Sequence, residues 1–118
     1  MSQNFQAGDF LIFQIESGYG LLRILAIDET ERGTIWHLAA YYEMFMDIDS
    51  ADAAIENYNG LTINYPHLAL TNRAFESTQV AKMTNQPLTE NELKPLELWR
   101  SGEGKVSDLS VRLLLGLR

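Results

Sequence analysis

The sequence predicts an α+β domain in which an N-terminal antiparallel β-meander, either a curved sheet or a small barrel, is followed by short helices that pack on it. Three observations predict this fold. Strand-like apolar segments joined by glycine-bearing turns fill residues 8–42, helix-start signals begin only after residue 45, and 118 residues fit one globular domain over 1–118. A hydrophobic content of 46% favours a folded core over disorder.

The first two strands follow from nearly continuous apolar runs. Phe10–Ile15 is apolar at almost every position, which is typical of a strand covered on both faces. Gly18 and Gly20 predict a tight turn, because glycine adopts the backbone angles that such turns require. Leu21–Ile27 then forms a second apolar strand, which only Arg23 interrupts. We therefore expect a hairpin at the start of the sheet.

A third strand follows the turn over 28–33, which ends in Gly33. Its residues alternate between two faces. One face carries Ile35, His37, Ala39 and Tyr41, and the other carries Trp36, Leu38, Ala40 and Tyr42. A fourth strand is expected over Ile63–Leu70, where Pro66 favours an edge or a bulge, and a short fifth strand over 78–83.

The helices are predicted from their capping signals. Ser50 is expected to cap a short helix that ends at Gly60. Thr89 and Glu92 have the spacing of a capping box and open a helix in the last third of the chain. Ser107 is expected to cap the final helix.

The charge is unevenly distributed along the chain. The net charge is −7, and residues 1–77 carry eleven acids against three bases. The region Asp28–Glu56 has eight acids, opposed only by Arg32. A negative field repels phosphate backbones, so nucleic acid is not a predicted partner, whereas a basic protein would be attracted. An acidic surface that serves only solubility is the alternative interpretation.

The composition also predicts the compartment. The chain contains no cysteine, which removes disulfides, thiolate nucleophiles and sulfur-based zinc sites from consideration. The start of the chain lacks the basic and apolar regions of a signal peptide, and no apolar run reaches the roughly 20 residues needed to span a bilayer. We expect a cytoplasmic protein with no membrane association.

Aromatic and acidic residues share the first half of the chain and predict a binding face. Carboxylates and aromatic rings both attract cationic groups, so this combination suits a basic protein partner. Core packing is the competing explanation for many of the aromatic residues. The candidate partner-binding residues are Tyr19, Trp36, Tyr41, Tyr42, Asp47, Asp49 and Asp52.

The two histidines provide an alternative. His37 and His67 could act as general bases or bind a divalent metal together with a carboxylate from the Asp47–Asp52 segment. Each could instead be a hydrogen-bonded, partly buried side chain. The chain has no nucleophile elbow, phosphate-binding loop or dinucleotide fingerprint. We therefore predict no catalytic residue, cofactor or metal, while leaving the histidine alternative open.

The opening of the chain resembles bacterial immunity-type proteins. Residues 8–12 read Gly-Asp-Phe-Leu-Ile, residues 18–20 read Gly-Tyr-Gly, and residues 23–25 read Arg-Ile-Leu. The same pattern is similar to other small β-barrels, including toxin components of plasmid maintenance systems. The resemblance over residues 8–25 implies a bacterial protein with a curved, barrel-like sheet and a role in protein binding. The functional prediction is thus a noncatalytic, immunity-like binding module; a small enzyme or metal-binding protein using His37 and His67 is the alternative.

Overall fold

A computed structural model of the protein describes residues 4–102 and 104–116. In this part of the chain, five antiparallel strands form one sheet in the order β4-β3-β2-β1-β5. Their bounds are β1 Asp9–Ile15, β2 Gly18–Thr30, β3 Gly33–Phe45, β4 Ile63–Thr71 and β5 Val80–Asn85. The predicted α+β fold with an N-terminal meander is confirmed. The barrel alternative is wrong, because the sheet is open, with β4 and β5 at its opposite edges.

The two longest strands extend further than the sequence predicts. β2 and β3 each contain 13 residues and meet at a tight turn in which Thr30 pairs with Gly33. The Thr30 hydroxyl donates a hydrogen bond of 2.7 Å to the Gly33 carbonyl, and Gly33 has a φ of +116°. Asp28 and Glu29, which we expected in the turn, therefore lie on β2, where their side chains can reach neighbouring strands and helices.

Four helices cover both faces of the sheet in the described residues. They are α1 Ile48–Ile55, α2 Asn72–Thr78, α3 Glu90–Ser101 and α4 Val111–Leu114, with a short 3-10 turn at Tyr58–Gly60. α2 and α4 pack on the face that carries Leu38 and Ala40. α1 and α3 pack on the opposite face, against Tyr41 and Ala39 respectively. Coverage of both faces explains why β1 is apolar at nearly every position.

The observed helix starts correct two of the predicted caps. The capping box of Thr89 and Glu92 is present as predicted at the start of α3. α1 is capped by Asp47, whose carboxylate accepts a 2.8 Å hydrogen bond from the Ser50 backbone N–H, so Ser50 lies inside the helix. α1 also ends at Ile55, before Gly60. An aspartate competes well with serine for the cap position because both offer a side-chain acceptor.

The last helix begins later than predicted, because Ser107 belongs to the sheet edge. The Ser107 N–H donates to the Ala69 carbonyl at 2.8 Å, and the Ser107 carbonyl accepts from the Thr71 N–H at 2.9 Å. Ser110 caps α4 instead. The sequence analysis also missed α2, which Thr71 caps by accepting from the Ala74 N–H.

β4 agrees with its predicted position, and β5 lies two residues later in the chain than predicted. β4 is an edge strand, as Pro66 indicated. β5 starts at Val80 rather than residue 78, because α2 runs to Thr78 and Gln79 then takes a left-handed conformation with φ 56°. Within residues 4–102 and 104–116, no helix has both the length and the apolar character required to span a bilayer.

Candidate functional site

Four of the predicted partner-binding residues are close in the chain, where β3 leads into α1. Tyr42 is close to the end of β3, and Asp47, Asp49 and Asp52 lie at the start of α1 or within it. All four side chains are exposed. Hydrogen bonding from Ser50, through its side chain and its backbone N–H, holds the pKa of Asp47 below its usual value. The Asp47 carboxylate is therefore ionised at neutral pH.

The same segment exposes three apolar side chains that the sequence analysis missed. Tyr42, Met44, Met46 and Ile48 are 66%, 50%, 89% and 52% exposed. Their recurrence at every second position, beyond the predicted end of the third strand, is the signal that could have revealed them. We call the exposed side chains of Tyr42, Met44, Met46, Ile48, Asp47, Asp49 and Asp52 the β3–α1 surface.

A shallow hollow adjoins this surface. Tyr42 and Met44 line it from β3, and Asn64 and Tyr65 line it from β4. Leu115, just after α4, closes one side, and the hollow has a volume of about 380 Å³. The β3–α1 surface thus borders a concave site, to which it contributes Tyr42 and Met44.

The remaining predicted aromatic residues do not belong to this surface. Tyr41 is only 5% exposed and stacks on Phe10, with ring centroids 6.0 Å apart, under α1. Trp36 stacks on Phe75 of α2 at 3.7 Å, on the other face of the sheet. Tyr19 is half-buried and pairs across the strands with Phe45. Because neighbouring residues of a strand face opposite sides, the predicted tyrosine-rich face is divided between the two faces of the sheet.

The two histidines form a separate polar cluster. His37 Nδ1 lies 2.9 Å from His67 Nε2, and His37 Nε2 lies 2.9 Å from Asp28 Oδ2. Arg100 of α3 binds both oxygens of Asp28, each at 3.0 Å. The Trp99 ring meets His37 edge-on at a centroid distance of 4.7 Å. Residues from β2, β3, β4 and α3 therefore converge here.

The hydrogen-bond chain defines the roles of the ring nitrogens. The Asp28 carboxylate accepts from His37 Nε2–H, so the neutral His37 ring has its lone pair at Nδ1 and accepts from His67 Nε2–H. Burial lowers the pKa of His67 to about 4 and also lowers the pKa of His37. The Arg100 guanidinium holds the pKa of Asp28 below its usual value. At neutral pH the cluster is one ion pair joined to two neutral imidazoles.

This cluster offers limited chemistry. His67 Nδ1 has no hydrogen-bond partner among the described residues, so its lone pair can accept a proton or a hydrogen bond from solvent. The carboxylate that meets His37 is Asp28, and not one from the Asp47–Asp52 segment as the metal hypothesis required. In the described ranges, no three histidine or carboxylate side chains are grouped so as to hold a metal ion.

Comparison with known proteins identifies no relative of this chain. No protein family, no curated protein and no solved structure matches the chain.

Proposed function

We propose that this chain is a noncatalytic protein-binding module whose β3–α1 surface engages a partner with a basic surface. The proposal rests on one observation. Within residues 42–52, four large side chains are exposed, namely Tyr42, Met44, Met46 and Ile48, and so are the carboxylates of Asp47, Asp49 and Asp52. Folded monomers rarely expose contiguous large apolar groups without a binding role. Tyrosine and methionine are enriched in interfaces, where they supply most of the buried area.

The charge selects the class of partner. The chain has a net charge of −7, and none of the three α1 aspartates forms an ion pair with a described residue. Carboxylates at the rim of an apolar contact accelerate association with a basic protein and disfavour acidic ones. The partner is therefore expected to present lysine or arginine side chains around an apolar centre that fits the hollow beside Tyr42.

The resemblance of residues 8–25 to immunity-type proteins supports the same proposal. It implies a protein that acts by binding another protein rather than by transforming a substrate. We place this binding in the cytoplasm, which agrees with a chain that contains no cysteine.

Charge neutralisation tests the proposal. The full chain is immobilised, and proteins captured from a lysate of its source cells are quantified by mass spectrometry at low and high salt. Asp49→Asn with Asp52→Asn should weaken capture of the partner by about three- to tenfold at low salt. The matched control, Glu31→Gln with Glu97→Gln, removes the same charge from exposed positions elsewhere and should leave capture unchanged.

Three results would count against the proposal. One is equal capture by the two double variants, which would mean that net charge alone attracts the protein. Another is the absence of any protein captured at both salt concentrations. A captured protein with an acidic surface would also count against the expected partner class.

A second candidate function is supported by the chain of Asp28, His37 and His67. A small enzyme could use the exposed Nδ1 of His67 as a proton acceptor, with His37 and Asp28 orienting the ring. His67→Gln should then abolish turnover of a substrate found by screening, whereas a binding module would retain partner capture. Calorimetric titration with Zn²⁺ tests the metal form of this alternative, and a titration without heat would rule it out.

A further inference from the structure

A second concave site lies beneath α3, on the sheet face opposite the hollow beside Tyr42. Leu25, Ala39 and Tyr41 form its floor, and Ile63 and Pro66 of β4 form one wall. Pro95 of α3 closes the other side, and the cavity has a volume of about 200 Å³. This site shares no residue with the β3–α1 surface, and its function is independent of the one proposed above.

The cavity has a structural cause in the strand register. β4 carries one extra residue between the pairs Leu38–Leu68 and Ala40–Tyr65, so that Pro66 and His67 stand opposite the single residue Ala39 of β3. β2 has its own irregularity at Leu25, between the residues that pair with Leu38 and His37. Bulges disrupt the ladder and bend the strand locally, and they are frequent beside functional sites. A small alanine at the centre leaves the resulting space unfilled.

Two proline rings make this space rigid. Pro66 and Pro95 line it from facing elements, β4 and α3. Proline has a fixed φ and a cyclic side chain, so neither wall can collapse into the cavity by changing rotamer. A preformed pocket of this kind loses little conformational entropy when a ligand enters.

Tyr41 is the polar residue on the floor of this mainly apolar pocket, which Asn91 and Glu92 of α3 also line. Tyr41 is only 5% exposed, and its hydroxyl has no hydrogen-bond partner among the described residues. No fully enclosed polar side-chain atom in those residues lacks a partner. The Tyr41 hydroxyl is therefore in contact with accessible space, and Tyr41 lines this cavity. Burial raises its pKa above the usual value, so it remains a neutral donor and acceptor.

The nearby carboxylate does not make the pocket a charged site. Glu92 lines the cavity, but its oxygens already accept hydrogen bonds from Arg23, Tyr58 and Thr89. An anionic ligand would meet this carboxylate, and a cationic ligand would compete with Arg23 for it. The chemistry therefore favours a neutral ligand.

We propose that this cavity binds a small neutral molecule, namely an aromatic or alicyclic ring with one hydroxyl group that hydrogen-bonds to Tyr41. An apolar cavity of roughly 150 Å³ accommodates benzene, so the volume here suits a ring with one or two substituents. The ring occupies the space above Ala39, and its hydroxyl points towards the tyrosine.

Phenol is the probe that tests this proposal, with toluene and benzoate as comparison probes. The full chain is titrated with each probe while its backbone amides are followed by two-dimensional NMR. Phenol should perturb the amides of Leu25, Ala39 and Ile63 and saturate with a Kd on the order of 0.1–1 mM. Toluene should bind about three- to tenfold more weakly, because it cannot use the Tyr41 hydroxyl. Benzoate should not bind.

Two variants locate the site. In Tyr41→Phe, the Kd values of phenol and toluene should lie within about twofold of each other. Tyr65→Phe, on the other face, should preserve the difference in Kd between the two probes. Ala39→Leu fills the cavity and should abolish binding of both probes, whereas Ala81→Leu at an exposed position should not. If Ala39→Leu does not fold, nuclear Overhauser contacts between phenol and the methyl groups of Leu25 and Ile63 in the wild type decide the location.

The proposal is overturned if about 10 mM phenol, at least roughly tenfold above the expected Kd, perturbs no amide around the cavity. It is also overturned if Tyr41→Phe retains the full preference for phenol, or if the Overhauser contacts place phenol elsewhere.

Discussion

His37 and His67, separated by 30 residues in the chain, are joined by a hydrogen bond of 2.9 Å between Nδ1 of the first and Nε2 of the second. The bond crosses from β3 to the edge strand β4 and continues through His37 Nε2 to Asp28 on β2. Three adjacent strands are thus linked by side chains as well as by their backbones. Because both imidazoles are neutral in the fold, this link responds to acid.

The first prediction concerns stability against pH. The pKa of His67 is lowered to about 4 in the fold, from 6.5 in the unfolded chain. Between these values the unfolded chain binds a proton that the fold does not, so stability falls as pH decreases from 6.5 to 4. We expect this residue to contribute a loss of about 1–2 kcal/mol, allowing for solvent near the ring. Urea unfolding at pH 7 and pH 4.5 measures it.

His67→Gln is the matched variant, because the glutamine amide can still donate to His37 Nδ1 but does not titrate. Its stability should fall less between the two pH values than that of the wild type. Equal losses in the two proteins would show that His67 does not titrate with the predicted sign.

The second prediction concerns Arg23, which is fully buried on β2. Its guanidinium binds Glu92 at 3.0 Å and donates to the Gly8 carbonyl at 2.6 Å. It also lies over the Phe10 ring, 4.3 Å from its centroid. Arg23→Met should destabilise the protein by about 3–5 kcal/mol, because it leaves Glu92 partly buried without its counter-ion. Denaturant unfolding measures the change.

Arg32→Met, at an exposed position in the β2–β3 turn, is the control and should stay within about 0.5 kcal/mol of the wild type. The double variant Arg23→Met with Glu92→Gln should lose less unfolding free energy than the sum of the losses in the two single variants, because the two side chains form one network. Strict additivity would argue against the ion pair as the cause.

The third prediction concerns Gly20, over which the Phe13 ring lies. A Cβ at Gly20 would be 2.4 Å from Cζ of Phe13, a buried core side chain. Gly20→Ala should therefore destabilise the protein by about 1–3 kcal/mol through overpacking. Gly60→Ala has no atom within 4 Å of the new methyl group and should be neutral or stabilising by up to about 1 kcal/mol.

Phe13→Leu added to Gly20→Ala distinguishes overpacking from loss of glycine flexibility. The smaller side chain should recover part of the stability lost by Gly20→Ala, measured by thermal unfolding of the four proteins in the cycle. An unchanged cost of Gly20→Ala in the Phe13→Leu background would refute the steric explanation.

The fourth prediction concerns the apolar part of the β3–α1 surface. Met44→Ser with Met46→Ser should weaken partner capture by at least about tenfold, because exposed apolar anchors carry much of the binding energy of an interface. The unfolding free energy should change little, since both side chains are largely exposed. Leu98→Ser with Leu109→Ser, at other exposed apolar positions, is the control. Equal loss of capture in both pairs would contradict a localised interface.

Local chemistry explains the parts of the fold that could be predicted. The apolar runs around Phe10 and Leu21 indicated a sheet covered on both faces, and the Thr89–Glu92 spacing marked the start of α3. These features depend on backbone preferences and side-chain hydrogen bonds that act over a few residues. The same reasoning misplaced the cap of α1, because Asp47 and Ser50 are both favourable cap residues and only the observed helix start distinguishes them.

The candidate site was only partly predictable for a different reason. Alternation places Tyr41 and Tyr42 on opposite faces, but it does not say which face a helix will cover. α1 and the core around Phe10 cover Tyr41, whereas Tyr42 remains exposed beside Met44.

By itself, the sequence determined the α+β class, the N-terminal meander of three strands, and the acidic character of the region that contains the β3–α1 surface. Only the tertiary structure decided that His37 meets His67, that Arg23 meets Glu92, and that bulges near Ala39 leave a cavity beneath α3. The physical reason is the distance along the chain over which each interaction acts. Propensity and charge act between near neighbours in the chain, whereas these contacts depend on the register between strands and on which helix packs over them.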